Sequence, residues 1–298
     1  VSAPRWDVCA TVRAPADEVL AFAGHHLALG ADRIWLFFDD PADPAFEAVA
    51  GLGRIKATRC DADYWARMGR GRPETHQNRQ MRNIGRAWRR SAADFVLHAD
   101  VDEYLVADRP VAECLAEADP ERPLIRLEPW EALHDPALPP GIFAARHFRR
   151  ALPEGRAVAV LGAIAAVLPS GLLSHTAGKC FFRTRVPGLV PNIHGARIDG
   201  ARVHGGRFHP DLAILHFHAE DPRRWRAALP FRLTRGAYTF NPALRAHLAA
   251  ADEAGIAAFY EAVQVARPGY LAALRAAGCL READLGLAAR AAALAGRG

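Results

Sequence analysis

Short, unbroken apolar runs that end in acids constrain this chain more than any other feature. Ile34-Trp35-Leu36-Phe37-Phe38 ends in Asp39-Asp40, and Phe95-Val96-Leu97 leads through His98 and Ala99 to Asp100-Val101-Asp102-Glu103. Runs of this length without polar alternation read as strands buried on both faces, the habit of parallel sheets. Helical patterns lie between the runs. After the β-rich stretch Trp6 to Val12, Pro15-Ala16-Asp17-Glu18 has the proline and early acids of a helix start. Its apolar stripe of Val19, Leu20, Phe22, Ala23 and Leu27 stops at Gly30. A short helix is expected over 45–50, a strand over 54–60 and a loop over 61–73. The order β-α-β-α-β predicts an α/β fold, Rossmann-like, with a mostly parallel mixed sheet flanked by helices.

A helix is expected over 74–90, with Met81, Ile84 and Trp88 on its apolar side, then the strand that carries the acidic cluster. A helix over 110–118 and a strand over 123–127 follow. The region 128–171 is poorly periodic, broken by Pro139-Pro140-Gly141 and Pro153-Glu154-Gly155. Strands are expected over 178–183 and 212–218, the second placing His216 and His218 on one face by its period of two. Helical patterns dominate from Pro222, and 271–298 reads as one or two packing helices. The division expected is a catalytic domain over 1–221 and a helical extension over 222–298.

Composition excludes several classes. The longest apolar stretch, Ala163 to Leu173, is interrupted by Pro169 and Gly171 and is too short to cross a bilayer. The N-terminal residues lack a signal-peptide pattern, so a cytoplasmic protein is expected, with peripheral membrane association open. Five scattered cysteines with no CxxC pair read as reduced core residues and not as a zinc site. The formal charge is +5, with Arg67, Arg70, Arg72, Arg79, Arg82, Arg86, Arg89 and Arg90 crowded together. No nucleic-acid-binding motif accompanies them, so a small anionic ligand suits the cluster better.

The acids after Leu97 fall at the carboxyl end of a buried strand, where open α/β sheets keep their ligands. In an extended segment Asp100 and Asp102 would share a face, and two carboxylates held together call for a cation. Oxygen ligands suit Mg²⁺ or Mn²⁺, which keep positions open for phosphate oxygens. The same residues also read as a solvated acidic turn. A strand followed by Asp-Val-Asp is shared with haloacid-dehalogenase-like phosphatases, although Tyr104 stands where their motif wants Thr or Val.

Four segments together resemble the family 2-like glycosyltransferases of the GT-A fold, in the branch related to the family 92 enzymes. They are His25 to Ile34, with its His-His-x-x-Leu-Gly order; Phe37 to Asp43; Gln77 to Tyr104, a Gln-led helix followed by Asp-x-Asp-Glu; and Gly178-Lys179 with Phe182-Arg183, followed by His216. The chain departs from that pattern at Asp40-Pro41, at Tyr104, and at Trp130-Glu131-Ala132-Leu133, where a Trp-x-x-Phe-Gly stretch is usual.

That resemblance implies transfer of a sugar from a nucleotide-diphosphate donor, UDP-sugars favoured, to a hydroxyl of a glycan or surface polysaccharide, with inversion. It implies Mn²⁺ or Mg²⁺ held by Asp102 and Asp100 with a distant histidine, His216 first and His218 on the same face. Nucleoside recognition would fall to Thr11, Val12, Arg13 and Asp39, and diphosphate or base contacts to Gln77, Arg79, Arg82 and Lys179. A base for the acceptor hydroxyl would come from Glu131, Asp135, His194 or Asp199. A phosphatase, or a nucleotide- or glycan-binding protein without turnover, remain the competing expectations.

Overall fold

The computed structural model describes residues 3–69, 71–203 and 205–296; Arg70 of the arginine cluster lies outside them. In chain order the elements are β1 (Trp6–Val12), α1 (Ala16–Ala28), β2 (Arg33–Phe38), β3 (Ile55–Arg59), α2 (Ala62–Arg67), α3 (His76–Arg90), β4 (Phe95–His98) and β5 (Glu103–Ala107). There follow α4 (Val111–Glu117), β6 (Leu124–Ala132), β7 (His147–Arg149), α5 (Ala157–Leu161), β8 (Lys179–Arg183), β9 (Leu189–Asn192), β10 (Gly195–Ile198) and β11 (Ala201–Val203). The chain continues through β12 (Phe208–His216), α6 (Pro222–Thr234), α7 (Pro242–Ala250), α8 (Glu253–Gln264), α9 (Pro268–Ala276), β13 (Leu280–Glu282) and α10 (Leu287–Ala295).

Three local expectations change. The helix expected over 45–50 is a single 3-10 turn, Pro44–Phe46, capped by Asp43. The loop expected over 61–73 contains α2, because the Asp61 carboxylate accepts from the Tyr64 N–H at 2.7 Å and starts a helix. The strand expected over 212–218 begins earlier and ends at His216, so strand periodicity does not place His218.

The chain divides into two compact units. The first comprises Val1–Glu128, Gly178–Ile214 and Gly286–Gly298. At its centre β4, β1, β2 and β3 lie side by side and parallel, with β1 paired to both β4 and β2. β8 extends this sheet antiparallel to β4, and Leu124–Leu127 of β6 pairs antiparallel with β8. The result is the expected α/β class, a mixed sheet parallel at its core and flanked by helices. β9, β10 and β11 form a separate antiparallel sheet.

Two glycines allow close approaches in this unit. Gly24 sits in α1 where a Cβ would come within 2.6 Å of the Arg290 carbonyl oxygen, so α10 packs directly on α1. Gly178 has φ 71°, and a Cβ there would collide with the Leu127 carbonyl, so β8 starts against β6 only with glycine before Lys179.

The second unit comprises Pro129–Ala177 and Leu215–Leu285. Glu131 and Ala132 pair with β7, and β13 pairs with the other edge of β7. Its core joins Trp225, Leu229, Tyr238, Leu244, Phe259, Tyr260 and Val263 from the helices that follow residue 221. A buried polar centre holds it together. Arg149 donates to Gln264 at 2.9 Å, Tyr270 at 2.7 Å and Glu131 at 3.2 Å. All five cysteines are free and buried.

Candidate active site in the first unit

The strand order β4-β1-β2-β3 reverses direction of growth at β1. Such a switch point opens a crevice at the carboxyl ends of the strands. What fills it follows from the pleat. Cys9 of β1, Trp35 and Phe37 of β2 and Val96 of β4 share a core with Ile84 and Ala87 of α3. Counting by twos along the same face brings Thr11, Asp39 and His98 to the rim under that helix.

α3 meets the rim with polar side chains. Asn83 donates to the Thr11 hydroxyl at 2.9 Å, Arg79 grips Asp39 through two nitrogens at 2.7 and 2.8 Å, and Gln80 donates to Asp100. One helix therefore positions the ends of three strands. Thr75 caps it by accepting from the Asn78 N–H at 3.3 Å. The apolar side expected from Met81, Ile84 and Trp88 is replaced by a buried stripe of Arg79, Gln80, Asn83, Ile84 and Ala87.

A cleft of about 620 Å³ opens at the ends of β1, β2 and β3, lined among others by Arg13, Asp39, Cys60, Asp61, Trp65 and Arg72. That size suits a nucleotide-scale ligand. Burial works against ionising Asp39, but hydrogen bonds from His76 and Arg79 and the charges of Arg79 and Arg72 outweigh it. The carboxyl is held well below its usual range, so Asp39 is an anion with a fixed orientation. Val12 contributes backbone, accepting the Asp39 N–H at 3.1 Å. Arg79 is committed to Asp39, Arg72 donates to the same carboxylate at 3.2 Å from an exposed position, and Arg13 is exposed. Arg82 donates to the Gly71 carbonyl at 3.0 Å, and Gln77 is exposed on the first turn of α3.

The acidic cluster differs from the expected extended pair. β4 ends at His98, and a turn follows in which the Glu103 N–H reaches the Asp100 carbonyl at 2.9 Å. Alternation therefore cannot be what places Asp100 and Asp102. Glu103 folds back to accept the Asp100 N–H at 2.8 Å. Lys179, 0% exposed, sets its ammonium 2.7 Å from Asp100 and 3.0 Å from Glu103. Burial opposes every charge in this triad, yet the carboxylates raise the Lys179 pKa and Lys179 lowers that of Asp100. Beneath them burial, and then the Lys179 charge, push His98 down to about 4, so its ring is neutral near pH 7.

Two adjacent histidines hold the strand that leaves this turn. The His25 Nε2–H donates to the Leu105 carbonyl at 2.6 Å, with Nδ1 facing the Arg290 guanidinium at 2.9 Å. His26 donates from Nδ1 to the Phe22 carbonyl and accepts the Leu105 N–H at Nε2. Both backbone groups of Leu105 thus end on imidazoles, as they would on a neighbouring strand.

Carboxylates are the donors that Mg²⁺ and Mn²⁺ take. Asp100 and Glu103 share the Lys179 ammonium, and Asp102 stands half-buried at the same turn. Its donor chemistry fits a hard divalent ion.

His194 lies in the two-residue link between β9 and β10. Its Nδ1 is 2.8 Å from the Gly178 carbonyl. A carbonyl only accepts, so Nδ1 carries a proton.

Asp199 follows β10 in the first unit, its N–H donating to the Gly188 carbonyl at 3.2 Å, and the remaining expected residues belong to the second unit. Glu131 is 0% exposed and accepts from Arg149 and from the backbone N–H groups of Leu173 and Ser174 at 2.8 and 2.5 Å. Burial is outweighed by Arg149 and these donors, which lower its pKa and make it a weak base. The His216 ring lies 5.8 Å from that of His175 and 5.1 Å from that of His218. Burial, Arg232 and the neighbouring imidazoles hold His218 far below its usual pKa. Asp135 lies 3.6 Å from His147.

Sequence reasoning passed over Gln80, Asn83 and His76. The first two carried a signal, since Arg79, Gln80, Asn83 and Ala87 follow helical spacing and form a mostly polar stripe. Glu103 accepts the Asp100 N–H and faces the Lys179 ammonium, and so braces the turn.

No protein-family model matches the sequence, and no curated protein matches it. Among solved structures the chain is similar to glucosyl-3-phosphoglycerate synthase from Mycobacterium tuberculosis in complex with Mn²⁺, UDP and phosphoglyceric acid. The identity is 12%, over 60% of this chain and 56% of that one, with a TM-score of 0.33. S. aureus TarS 1-349 matches at 14% identity over 77% of this chain and 66% of that one, TM-score 0.31. CMP:2-keto-3-deoxy-manno-octonic acid synthetase complexed with CTP matches at 16% identity over 48% and 62%, TM-score 0.29. The chain covers less than two thirds of each of these structures. Likenesses this distant leave function to be argued from the side chains above.

Proposed function

We propose that the chain is a GT-A-type glycosyltransferase that moves a sugar from a nucleoside-diphosphate donor, a UDP-sugar first, to a hydroxyl of a glycan or surface polysaccharide with inversion. One observation carries the reading. Ligand-sized space, a fixed anion, exposed guanidinium groups and an acidic turn converge on the carboxyl ends of four adjacent parallel strands. The nucleoside would enter the cleft between Arg13, Trp65 and Arg72. Asp39, oriented by Arg79, would accept from a base or ribose donor. Arg13 and Arg72 would meet phosphate oxygens.

Cleaving the sugar–phosphate bond leaves negative charge on the diphosphate. Asp102 would hold Mn²⁺ or Mg²⁺, whose Lewis acidity stabilises that charge. Lys179 keeps Asp100 ionised and ties it to Glu103, which closes the turn that carries Asp102. At the acceptor, His194 would serve as the base, with Nδ1–H held on the Gly178 carbonyl and Nε2 taking the hydroxyl proton, whereas Glu131 is a weak base.

The test is a thermal-shift panel of nucleotide sugars with and without Mn²⁺, followed by measurement of UDP release. A metal-enhanced shift with UDP-sugars, and UDP release lost in Asp102→Asn, is the expected result. Binding without release toward water or any acceptor would make this a binding protein. A trapped aspartyl-phosphate on Asp100 would make it a phosphatase.

A further inference from the structure

A strongly basic stretch lies far from the cleft in sequence. Residues 222–251 contain six arginines, Arg223, Arg224, Arg226, Arg232, Arg235 and Arg245, and no Asp or Glu. That is more positive charge than the whole chain's net +5. Some of it is answered within the second unit: Arg226 pairs with Glu253, and Arg232 donates to the His218 carbonyl at 2.7 Å. Arg223, Arg235 and Arg245 are exposed.

The same segment carries two exposed phenylalanines. Trp225 and Leu229 of α6, Tyr238 of the 3-10 turn Ala237–Phe240, and Leu244 and Leu248 of α7 supply the buried contacts. Phe231 and Phe240 are 58% and 88% exposed, flanking the turn between α6 and α7. Pro230 inside α6 removes a backbone donor one residue before Phe231. An apolar ring kept in water loses burial free energy on folding, so two of them in one all-basic segment are best explained by a surface that covers them.

We propose that residues 222–250 dock on an anionic phospholipid surface, with Phe231 and Phe240 entering the headgroup layer and Arg223, Arg235 and Arg245 meeting lipid phosphates. Charge complementarity selects this occupant. Five of the six arginines remain beside the Arg226–Glu253 pair, and such an excess of one sign attracts a uniformly negative plane, whereas a protein partner is specified by mixed charges. Aromatic rings beside cations suit the polar–apolar boundary of a bilayer. This site uses none of the residues assigned to the cleft and stands or falls separately from the transferase reading.

The experiment is co-sedimentation of the full chain with vesicles of phosphatidylcholine, with or without about one quarter phosphatidylserine. Binding is expected only to the anionic vesicles, weakening as salt is raised. Phe231→Ser with Phe240→Ser, and separately Arg235→Gln with Arg245→Gln, should each weaken it by about tenfold while the melting temperature stays put. Wild-type protein left in the supernatant overturns the proposal, as does a double phenylalanine variant that binds as well as wild type. Soluble glycerophosphoserine competing as effectively as vesicles would mean an ion site and overturn it. So would preferential capture of a single-stranded oligonucleotide, or self-association abolished by the same substitutions.

Discussion

Asp39 and Asp100 stand under the same helix, just beyond the ends of the two parallel strands that flank β1, and each is balanced by a cation in a different way. Asp39 meets the planar fork of Arg79, which bonds both oxygens and fixes the carboxylate's plane beside an open cleft. Asp100 meets the point charge of a buried lysine, which it shares with Glu103. A guanidinium dictates orientation, whereas an ammonium gathers several acids without dictating their planes. The difference assigns orientation of a ligand-facing anion to the first region and closure of a turn to the second.

Removing the shared ammonium is the harshest way to break the comparison. Lys179→Met leaves two buried carboxylates side by side, and stability should fall by about 3–5 kcal/mol in chemical denaturation. Lower pH should restore part of it, because one acid can then take a proton. A loss no larger than that of a surface lysine would show that the triad is not the closure of the turn.

Acid separates the two regions from the histidines beneath and beside them. His25, His26 and His98 are held neutral, chiefly by burial, with His26 and His98 lowered to about 4. Their folded pKa values lie below the unfolded value of about 6.5, so the unfolded chain binds more protons below that pH. Stability should therefore fall between about pH 6.5 and 4, by up to about 1.4 kcal/mol per pH unit for each histidine. The lowered Asp39 and Asp100 contribute stability that is present above about pH 4 and lost only as pH falls further. Melting curves that stay flat to pH 4 would remove the histidines from this account.

Arg79→Lys keeps the charge and loses the fork. It should cost about 1.5–3 kcal/mol and weaken UDP binding in calorimetry, with metal affinity unchanged. Loss of metal affinity instead would mean that the two regions are coupled. Asp102→Asn should have the smallest effect on folding, within about 0.5 kcal/mol, while removing the metal-dependent part of nucleotide binding. Equal losses in both would make Asp102 a structural residue.

The strands were legible because burial on both faces writes itself as uninterrupted apolar runs, and α1 because its proline, acids and Gly30 mark its ends. Asp39, Thr11 and Lys179 were singled out by a family resemblance, and the structure sets Asp39 and Thr11 under α3 and Lys179 beside Asp100 and Glu103. Asn83 and Gln80 were not, because they sit in a helix with a polar stripe, which in sequence looks like a solvated face, and only a sheet packed beneath it makes that face an interior. The turn at Asp100 was misread as extended because Asp-Val-Asp-Glu obeys a period of two whether or not the chain bends there.

The sequence alone determined that a parallel core forms, in what order its strands come, and that acids would gather at their carboxyl ends, since these depend on local hydrophobic period and chain direction. Tertiary structure decided which cation answers which acid, that residues 129–177 group with 215–285, and that Glu131 lies deep within that second unit beside Arg149. Those outcomes depend on distances between residues far apart in the chain, and a one-dimensional pattern carries no term for them.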